Sequence, residues 1–412
     1  MAKSILMKNI SLKSNQCIAT CPACGLLCDD ILLENNQNVI KVMANGCAKS
    51  IPFFEQKLND ATPRIAGEPA TLAQALARAA QILKQAQQPL FTGLSTDVAG
   101  FRAIYNLAQK TSGIHQQNMQ HMNAASTARN IRVLQSTGWQ TTTLTEVKNR
   151  ADVIVCIGSD IVSHNPRFFE RFVDVDGMFI SAKNRQLIVL GESKNNGVIK
   201  SDALEAAWIL PCRADDLPSV TIALRALVAG KPLKATEVAG IKVSDLQSVA
   251  DKLKAAKYAV LAWVSKDFDY PHAELTIQNI TETVAILNQT TRAAGLALGG
   301  SDGDTSANNA NTWLSGFALN NDTIEHDCVV WVNSFNAEKL PPNTDKPLIV
   351  LGNTNCQFET TPDVFIPTAK PGLDCSGTLF RVDSSVILPL KKLRENNLPT
   401  LSEVVSGIEA LL

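Results

Sequence analysis

Four cysteines near the amino terminus place the strongest constraint on the local fold: Cys21, Cys24, Cys28 and Cys47. They form the pattern Cys-x2-Cys-x3-Cys, and the fourth follows after eighteen further residues. The short gaps put three thiols around one tight turn, and the fourth closes a cage of sulfur donors. Such a cage suits an iron–sulfur cluster or a structural zinc ion. The spacing favours the cluster, because zinc ribbons usually present two separate Cys-x2-Cys pairs.

Gly25 directly follows Cys24, where the turn needs a left-handed or closely approaching backbone. The alternative is that the four thiols are ordinary core residues, since cysteine is among the most buried residue types. The pattern predicts that the module descends from a metal site. Whether it holds a cluster, zinc or nothing today is a separate question that the spacing leaves open.

Length and composition limit the classes of protein to which this chain can belong. A chain of 412 residues is long for one core and predicts two or three domains. A hydrophobic fraction of 45% and a charged fraction of 19% are typical of a soluble globular protein. The net charge of −1 and the aromatic content of 5% argue against a nucleic-acid partner, which needs a basic field or stacking platforms.

The cysteine distribution bears on the cellular compartment. The ten cysteines are scattered rather than spaced like disulfide partners. The chain opens without a charged and then apolar leader, and it contains no run of eighteen apolar residues. We therefore expect a cytoplasmic protein with reduced thiols and no membrane partner.

The order of elements predicts an α/β fold. Residues 1–60 lack helical periodicity and read as a small cysteine-bearing β module with strands at 31–33 and 39–42. Helices then alternate with apolar strands, which predicts an α/β domain over 61–215 and a second over 216–345. Residues 346–412 are expected to return and pack on the first part. The coarse prediction is two doubly wound, Rossmann-like units beside the cysteine module.

Individual elements follow from periodicity and from turn residues. Thr71 is the predicted N-cap of a helix with one apolar face. Other helices are predicted over 98–110, 127–136, 216–229, 244–256 and about 272–291, strands over 153–157, 187–191, 259–264, 329–332 and 348–351, and a loop over 296–311. Continuous β-branched runs indicate parallel strands that are buried on both faces.

Ligands of such sheets bind at the carboxyl ends of the strands. The residues at these ends are Gly158, Ser159 and Asp160, then Gly191, Glu192 and Ser193, and then Gly352, Asn353 and Thr354. Ordinary strand-to-helix turns use the same residue types, and on these residues alone the turn interpretation is favoured. The glycine-rich phosphate-binding motifs of nucleotide hydrolases and simple nicotinamide enzymes are absent from the sequence.

The histidines do not form a recognisable ligand set. His115 and His121 lie six residues apart, so they would occupy different faces of a helix, and we interpret them as solvated polar residues. His164 follows a strand end and could face a ligand. Arg167 could do the same, or it could pair with Glu170 on the next turn.

Three stretches together resemble the B subunit of formylmethanofuran dehydrogenase: the cysteine motif at 21–30, the block at 146–155 and the segment at 371–383. The resemblance extends over essentially the whole chain. It implies a fold of the molybdopterin-oxidoreductase type, with one [4Fe-4S] cluster and a molybdenum or tungsten bis-pterin in active members. Those enzymes reduce CO2 to formate, which is captured on methanofuran.

The resemblance has a gap at the metal. Active members are expected to supply a cysteine thiolate to molybdenum or tungsten upstream of the 146–155 block. Here that position falls near Ser126, and no cysteine occurs between Cys47 and Cys156. The chain also has Asp160-Ile161 where active members are expected to have Asn-Pro, and a carboxylate there would repel the diphosphate of a pterin dinucleotide. Both changes indicate loss of the pterin site.

That pattern resembles the B subunit of the formyltransferase/hydrolase complex of methylotrophic bacteria. There, formyl groups pass from tetrahydromethanopterin to a methanofuran-type carrier and are hydrolysed to formate. The resemblance implies partner subunits A, C and D, with the chemistry in A and D and a scaffold role for B. The alternatives are an active molybdenum or tungsten dehydrogenase subunit, and a stand-alone iron–sulfur or zinc protein. We expect metal ligands at Cys21, Cys24, Cys28 and Cys47 alone, and this chain to be non-catalytic.

Overall fold

The structure is a computed structural model, and it describes residues 12–112, 118–191, 200–319 and 325–412. These residues divide into two compact units. The central unit extends from Ala125 to Gly299. The split unit combines the residues up to Ala124 with those from Gly300 to Leu412.

The strands are β1 Gln16–Ala19, β2 Ile31–Asn36, β3 Val39–Ala44, β4 Arg64–Ile65, β5 Glu68–Pro69, β6 Pro89–Ser95, β7 Val153–Ile157, β8 Gln186–Leu190, β9 Trp208–Leu210, β10 Glu237–Val238, β11 Ile241–Lys242, β12 Ala259–Trp263, β13 Ala293–Ala297, β14 Cys328–Asn333, β15 Leu348–Gly352, β16 Val364–Pro367, β17 Gly377–Phe380 and β18 Ile387–Leu390. The helices are α1 Ser50–Glu55, α2 Leu72–Gln85, α3 Val98–Ser112, α4 Ala124–Ser136, α5 Leu144–Arg150, α6 Ile161–His164, α7 Asp202–Glu205, α8 Leu217–Val228, α9 Val243–Ala255, α10 Ala273–Leu287, α11 Asp304–Ser315 and α12 Leu401–Glu409.

The central unit is built on a five-stranded parallel sheet in the order β13-β12-β7-β8-β9. The chain starts in the middle at β7, moves out through β8 and β9, and then returns to add β12 and β13 on the other side. This reversal is the strand order of a doubly wound sheet, and it opens a crevice at the carboxyl ends of β7 and β12. In the register, Val155 lies between Leu261 and Ile188, and all three side chains are buried.

The split unit contains a six-stranded sheet in the order β5-β4-β16-β15-β14-β6. Strands β6, β14, β15 and β16 are parallel, whereas β4 pairs antiparallel with β16. The parallel strands follow chain order without a reversal, so the doubly wound order predicted for a second unit is not found in this sheet. The C-terminal helix α12 packs on α2 and α3, with an apolar face that includes the buried Val404 and Ile408.

The α/β class with parallel sheets is confirmed, and many elements lie where periodicity placed them. Thr71 caps α2 with a reciprocal capping box: its hydroxyl accepts from the Gln74 amide, while the Gln74 side chain accepts from the Thr71 amide. The buried strands β7, β8, β12, β14 and β15 coincide with the predicted runs to within one residue. Helix α10 ends at Leu287, four residues before the expected Thr291.

The domain boundaries differ from the predicted ones. The units meet at Ala124/Ala125 and at Gly299/Gly300, rather than at residues 60, 215 and 345. The reason is strand pairing: β12 inserts beside β7, so residues on both sides of position 215 share one sheet. Likewise β14 pairs with both β6 and β15, so the predicted boundary at 345 falls inside one sheet.

The predicted loop over 296–311 is confirmed only for 298–303 and is wrong at both ends, because β13 continues to Ala297 and α11 begins at Asp304. Gly303, at a φ of +74°, turns the chain into the helix. Two of the polar side chains that suggested a loop are buried and hydrogen-bonded: Ser306 Oγ accepts from the Phe380 amide at 2.8 Å, and Asn311 donates to the Phe317 carbonyl at 2.8 Å. Hydrogen bonds to a distant segment and to the chain just beyond the helix therefore satisfy side chains whose propensity favours a loop.

Across the described residues, every helix is too short or too polar to span a bilayer.

Candidate functional site

The first candidate site is the loop that carries the cysteine motif, in the split unit. Strands β1, β2 and β3 form an antiparallel meander in which Leu32 is opposite Ala44. The loop from β1 to β2 and the chain leaving β3 therefore emerge at the same edge of this small sheet. That edge receives Cys21, Cys24 and Cys28 from the first segment and Cys47 from the second.

Backbone hydrogen bonds shape the cysteine loop. The Cys21 amide donates to the Cys28 carbonyl at 2.8 Å, and the Leu27 amide donates to the Cys24 carbonyl at 3.2 Å. Two sulfurs accept from backbone amides at 3.5 Å: Cys21 Sγ from Ala23, and Cys47 Sγ from Ser50. Amide donors of this kind stabilise negative charge on sulfur.

The four thiols interact electrostatically. Cys21, Cys24 and Cys28 are buried, and Cys47 is half-buried. Burial, followed by the nearness of the other three thiols, raises the pKa of Cys21 well above its ordinary value. Sulfurs that repel one another in this way need a cation between them before they can become thiolates together.

The four thiols are the type of donor that a sulfur-ligated metal centre needs. Their positions, however, do not form such a centre: within the described ranges, no group of three or more His, Cys, Asp and Glu side chains is positioned to hold a metal ion. The four-cysteine site therefore stays a prediction, supported by donor type, burial and mutual proximity.

Gly25 anchors the cysteine loop to two distant segments of the split unit. Its amide donates to the Gly300 carbonyl at 2.8 Å, and its carbonyl accepts from the Val382 amide at 2.8 Å. A Cβ on Gly300 would lie 2.9 Å from the Gly25 Cα, and Gly300 has a φ of +73°. The close approach expected at Gly25 is therefore present, and it needs a glycine at position 300 as well.

The second candidate site is a cavity of about 340 Å³ at the carboxyl ends of the central-unit strands. Its lining residues are Gly158, Ser159, Asp160, Gly191, Cys212, Arg213, Ala214, Asp215 and Asp267. Four of the predicted strand-end residues line the cavity: Gly158, Ser159, Asp160 and Gly191. Glu192 and Ser193 lie outside the described residues. Gly352, Asn353 and Thr354 belong to the split unit, where Gly352 ends β15 and the other two follow it.

Hydrogen bonds join the two sides of the strand-order reversal. Ser159 Oγ accepts from the Val264 amide at 2.7 Å, and Asp267 accepts from the Asp160 amide at 2.9 Å. The second Asp267 oxygen lies 2.7 Å from Nε2 of His164. The Asp160 carboxylate also caps α6 through the Ser163 amide. These contacts support the turn interpretation for Ser159 and Asp160, and they place His164 against Asp267.

The charges around this cavity are mostly negative. Three carboxylates, those of Asp160, Asp215 and Asp267, line it together with one cation, Arg213. Arg213 itself lies 3.8 Å from Asp215 and is largely exposed. A diphosphate would therefore meet repulsion here rather than the donors and cations that bind phosphate.

The remaining histidine and arginine predictions have clear outcomes. His115 lies outside the described residues. The expectation of a solvated His121 is wrong: the ring is buried, its Nδ1 accepts from the Asn123 amide at 3.0 Å, and its Nε2 therefore donates to the Asp302 carbonyl at 3.1 Å. Arg167 pairs with Glu170 through two hydrogen bonds of 2.6 and 3.1 Å, which confirms the second interpretation.

The curated relatives extend over nearly the whole chain. Over 90% of its length, the chain is 25% identical to the B subunit of the tungsten-containing formylmethanofuran dehydrogenase 2 of Methanococcus maripaludis, covering 92% of that protein. The corresponding protein of Methanocaldococcus jannaschii is 24% identical over 90% of this chain and 92% of its own length. The B subunit of the formyltransferase/hydrolase complex Fhc of Methylorubrum extorquens is 24% identical, over 84% of this chain and 95% of that protein. The predicted resemblance to the B subunit of formylmethanofuran dehydrogenase is confirmed.

Solved structures share the fold. The crystal structure of the FhcABCD complex of Methylorubrum extorquens with methylofuran contains a chain that matches with a TM-score of 0.69 at 22% identity, over 85% of this chain and 98% of that one. Acetylene hydratase from Pelobacter acetylenicus matches with a TM-score of 0.58 at 10% identity, over 96% of this chain and 69% of that one. No protein-family model matches the chain.

Ser126 lies near the position at which the resemblance to the dehydrogenase predicts a metal-ligating thiolate. It lies in the first turn of α4, and its carbonyl accepts from Ser265 Oγ at 2.8 Å. Ser265 Oγ also accepts from the side-chain amide of Asn130 at 3.1 Å. Ser265 therefore fixes this part of α4 to the chain that follows β12. The residue at position 126 carries a hydroxyl rather than a thiol.

Sequence reasoning missed Asp215, Asp267 and Cys212 in the cavity. Asp267 follows the predicted strand over 259–264, whereas Cys212 and Asp215 follow β9, which the sequence analysis did not predict, and no local motif marks any of the three. Asp267 meets Asp160 because β12 returns to pair with β7, whereas Cys212 and Asp215 come from the end of β9, which joins β7 through β8. The strand-order reversal, once assumed, would have directed attention to the residues after β12.

Proposed function

We propose that this chain is the B subunit of a complex of the formyltransferase/hydrolase type, and that it serves as a scaffold without redox chemistry of its own. In such a complex, formyl groups pass from tetrahydromethanopterin to a methanofuran-type carrier and are released as formate. We further propose partner subunits of the A, C and D types. The observation that carries the proposal is the serine at position 126, which replaces the thiolate expected in an active dehydrogenase.

The acidic cavity of the central unit supports the same proposal. It occupies the strand-order reversal, where a doubly wound fold of the molybdopterin-oxidoreductase type, which we propose here, would bind a dinucleotide. Asp160, Asp215 and Asp267 surround that position. Because the residues present do not fit an anionic pterin dinucleotide, we propose that no molybdenum or tungsten pterin is bound.

For the cysteine module at 1–60, we propose Cys21, Cys24, Cys28 and Cys47 as the ligands of a [4Fe-4S] cluster with a structural role. When bound, the cluster would supply a covalent cross-link between the two loops that leave the meander. The scattered spacing of the ten cysteines, unlike that of disulfide partners, suits the reducing cytoplasm, which we propose as the compartment.

The test is the composition of the complex purified anaerobically through a tag on this chain from its native host. We expect three further subunits by native mass spectrometry, and less than about 0.1 tungsten or molybdenum per chain by elemental analysis, because the donors of a pterin site are missing. Stoichiometric tungsten or molybdenum would establish the active dehydrogenase instead. A stable monomer would favour the stand-alone metal protein.

The cysteine set has its own test with a matched control. Cys24→Ser removes a proposed ligand, whereas Cys17→Ser removes a nearby half-buried thiol of β1 that lies outside the motif. We expect the first variant to lose most of its iron and its visible cluster absorbance, and the second to keep both. Zinc in place of iron, or no metal in the unmodified complex, would contradict the cluster.

A further inference from the structure

Two adjacent apolar side chains project from the central unit, in the turn between α6 and β8. Met178 is 78% exposed and Phe179 is 64% exposed, the highest values among large apolar side chains of the described residues. We call these two residues the apolar tip. Single exposed apolar residues are common on protein surfaces and need no explanation. The apolar tip differs because the backbone beneath it is held rigidly.

Hydrogen bonds fix both residues of the apolar tip to the end of α5. The Met178 amide donates to Asn149 Oδ1 at 3.3 Å, and the Phe179 amide donates to the Asn149 carbonyl at 3.1 Å. The turn is also closed on itself, since the Gly177 amide donates to the Ile180 carbonyl at 2.8 Å. One residue of α5 therefore positions the backbone of both apolar residues.

Close packing holds the same turn from below. A Cβ on Gly177 would lie 2.0 Å from the Lys148 carbonyl oxygen, which is backbone and cannot move aside. The Arg185 guanidinium connects the last turn of α5 to the chain entering the tip, because it donates to the Val147 carbonyl at 2.8 Å and to the Val175 carbonyl at 3.2 Å. The apolar tip is thus presented on a rigid support.

Arg150 covers one face of the Phe179 ring. Its guanidinium carbon lies 4.5 Å from the ring centroid, while its Nε lies 2.6 Å from a Glu146 carboxylate oxygen. Glu146, Asn149 and Arg150 all belong to the 146–155 block that carries part of the resemblance to the dehydrogenase. In this structure, the block supports the apolar tip.

We propose that the apolar tip is a docking element that inserts into an apolar pocket on a different subunit of the complex. The inference rests on the proposed function, because it needs a multi-subunit assembly. Because its backbone is already held by hydrogen bonds, the apolar tip loses little backbone freedom on binding, which lowers the entropic cost of docking. Met, Phe and Arg are also enriched at the centres of interfaces.

The charge beside the apolar tip favours a different chain over a second copy of this one. The Arg150 guanidinium covers one face of the Phe179 ring, so a symmetric contact between two tips would bring two like charges together. A pocket on a different subunit need not carry a cation at this place. Side chains of this size expose roughly 200 Å² each when free, so the apolar tip offers about 300 Å² and supplies only part of the roughly 1,200 Å² that a stable interface buries.

The experiment compares complexes purified through a tag on this chain from cells that express all the native subunits. The test variant is Met178→Ser/Phe179→Ser, and the control is Leu275→Ser, which removes a 54%-exposed apolar side chain on α10 of the same unit. We expect the test variant to lose at least one partner subunit, or to dissociate at a concentration at least tenfold higher. The control should match the unmodified complex, and both variants should keep the unmodified unfolding midpoint.

A photo-crosslinking residue at position 179 identifies the contact directly. An adduct with a different subunit supports the proposal, whereas an adduct only with a second copy of this chain overturns it. Unchanged composition and dissociation in the test variant also overturn it while leaving the scaffold function intact. If the unmodified chain purifies as a monomer, both the docking element and the proposed function fail.

Discussion

In the split unit, Lys370, Asp374 and Arg394 are buried, and the Asp374 carboxylate accepts from the Lys370 backbone amide and from the Arg394 guanidinium, whereas the central unit keeps Asp160 and Asp267 around a cavity open to solvent. Both units bury a parallel sheet of apolar strands, so the hydrophobic cores do not distinguish them. The two units differ instead in where their charged side chains are placed.

The buried charges of the split unit join segments that are far apart in sequence. The Arg394 guanidinium donates to Asp374 at 2.5 Å and to the Gln56 carbonyl at 3.0 Å, and Lys370 Nζ donates to the Phe335 carbonyl at 3.2 Å. These bonds fix the chain after α1, and with it the end of the cysteine module, against the C-terminal segment. Charge in this unit specifies position, whereas charge around the cavity decides which ligands are repelled.

The largest expected effect comes from breaking the buried ion pair. Asp374→Ala leaves Arg394 buried without its carboxylate, and we expect the free energy of unfolding to fall by about 3–5 kcal/mol. The matched control is Glu282→Ala, which breaks the half-exposed pair with Arg225 in the central unit and is expected to lower it by less than about 1 kcal/mol. Urea unfolding of the two variants gives the measurement. If both lose the same unfolding free energy, the buried ion pair of the split unit is no more important for stability than the partly exposed pair of the central unit.

Lys370 gives a pH test of the same network. Burial lowers the pKa of Lys370 from 10.5 to about 8, against the opposing effect of Asp374. Between these values the unfolded chain binds more protons than the folded one, so stability from this group rises as pH increases from about 8. From about pH 7 to about pH 10, we expect the unmodified protein to gain roughly 2–3 kcal/mol relative to Lys370→Met. Unfolding free energies that stay parallel across this range would disprove a shifted lysine.

The anchoring of the cysteine loop predicts a difference between two glycines. Gly300→Ala introduces a Cβ at 2.9 Å from Gly25, whereas Gly316→Ala, at a similar positive φ, meets nothing within 4 Å. We expect losses of about 3 kcal/mol and about 1 kcal/mol, respectively, because only the first adds a steric clash to the backbone strain. The unfolding free energies of the two variants provide the measurement, and similar values would argue against close contact at Gly25.

The smallest expected effect concerns the cavity. Asp267→Ala removes the acceptor of the Asp160 amide and of His164, both at the edge of solvent, and should lower stability by about 1 kcal/mol. The control Asp215→Ala removes a largely exposed carboxylate and should change stability by less than about 0.5 kcal/mol. A loss above about 3 kcal/mol for Asp267→Ala would place it among the structural charges, as in the split unit.

Local patterns predicted what local forces decide. Thr71 with Gln74 defined the start of α2, and the β-branched run of β7 defined a buried strand. The same reasoning failed at α11, a helix rich in Ser and Asn, whose Ser306 and Asn311 side chains find hydrogen-bond partners outside the helix in Phe380 and Phe317. The cavity acids were missed for the same reason, since they meet only through strand pairing.

The sequence alone determined the α/β class, the four-cysteine spacing and the serine at position 126, because each depends on residue type or on short-range periodicity. Only the tertiary structure decided the division into units, the buried environment of His121 and Lys370, and the rigid support beneath Met178 and Phe179. The physical reason is that these features depend on contacts between distant segments, whose pairing no local pattern encodes.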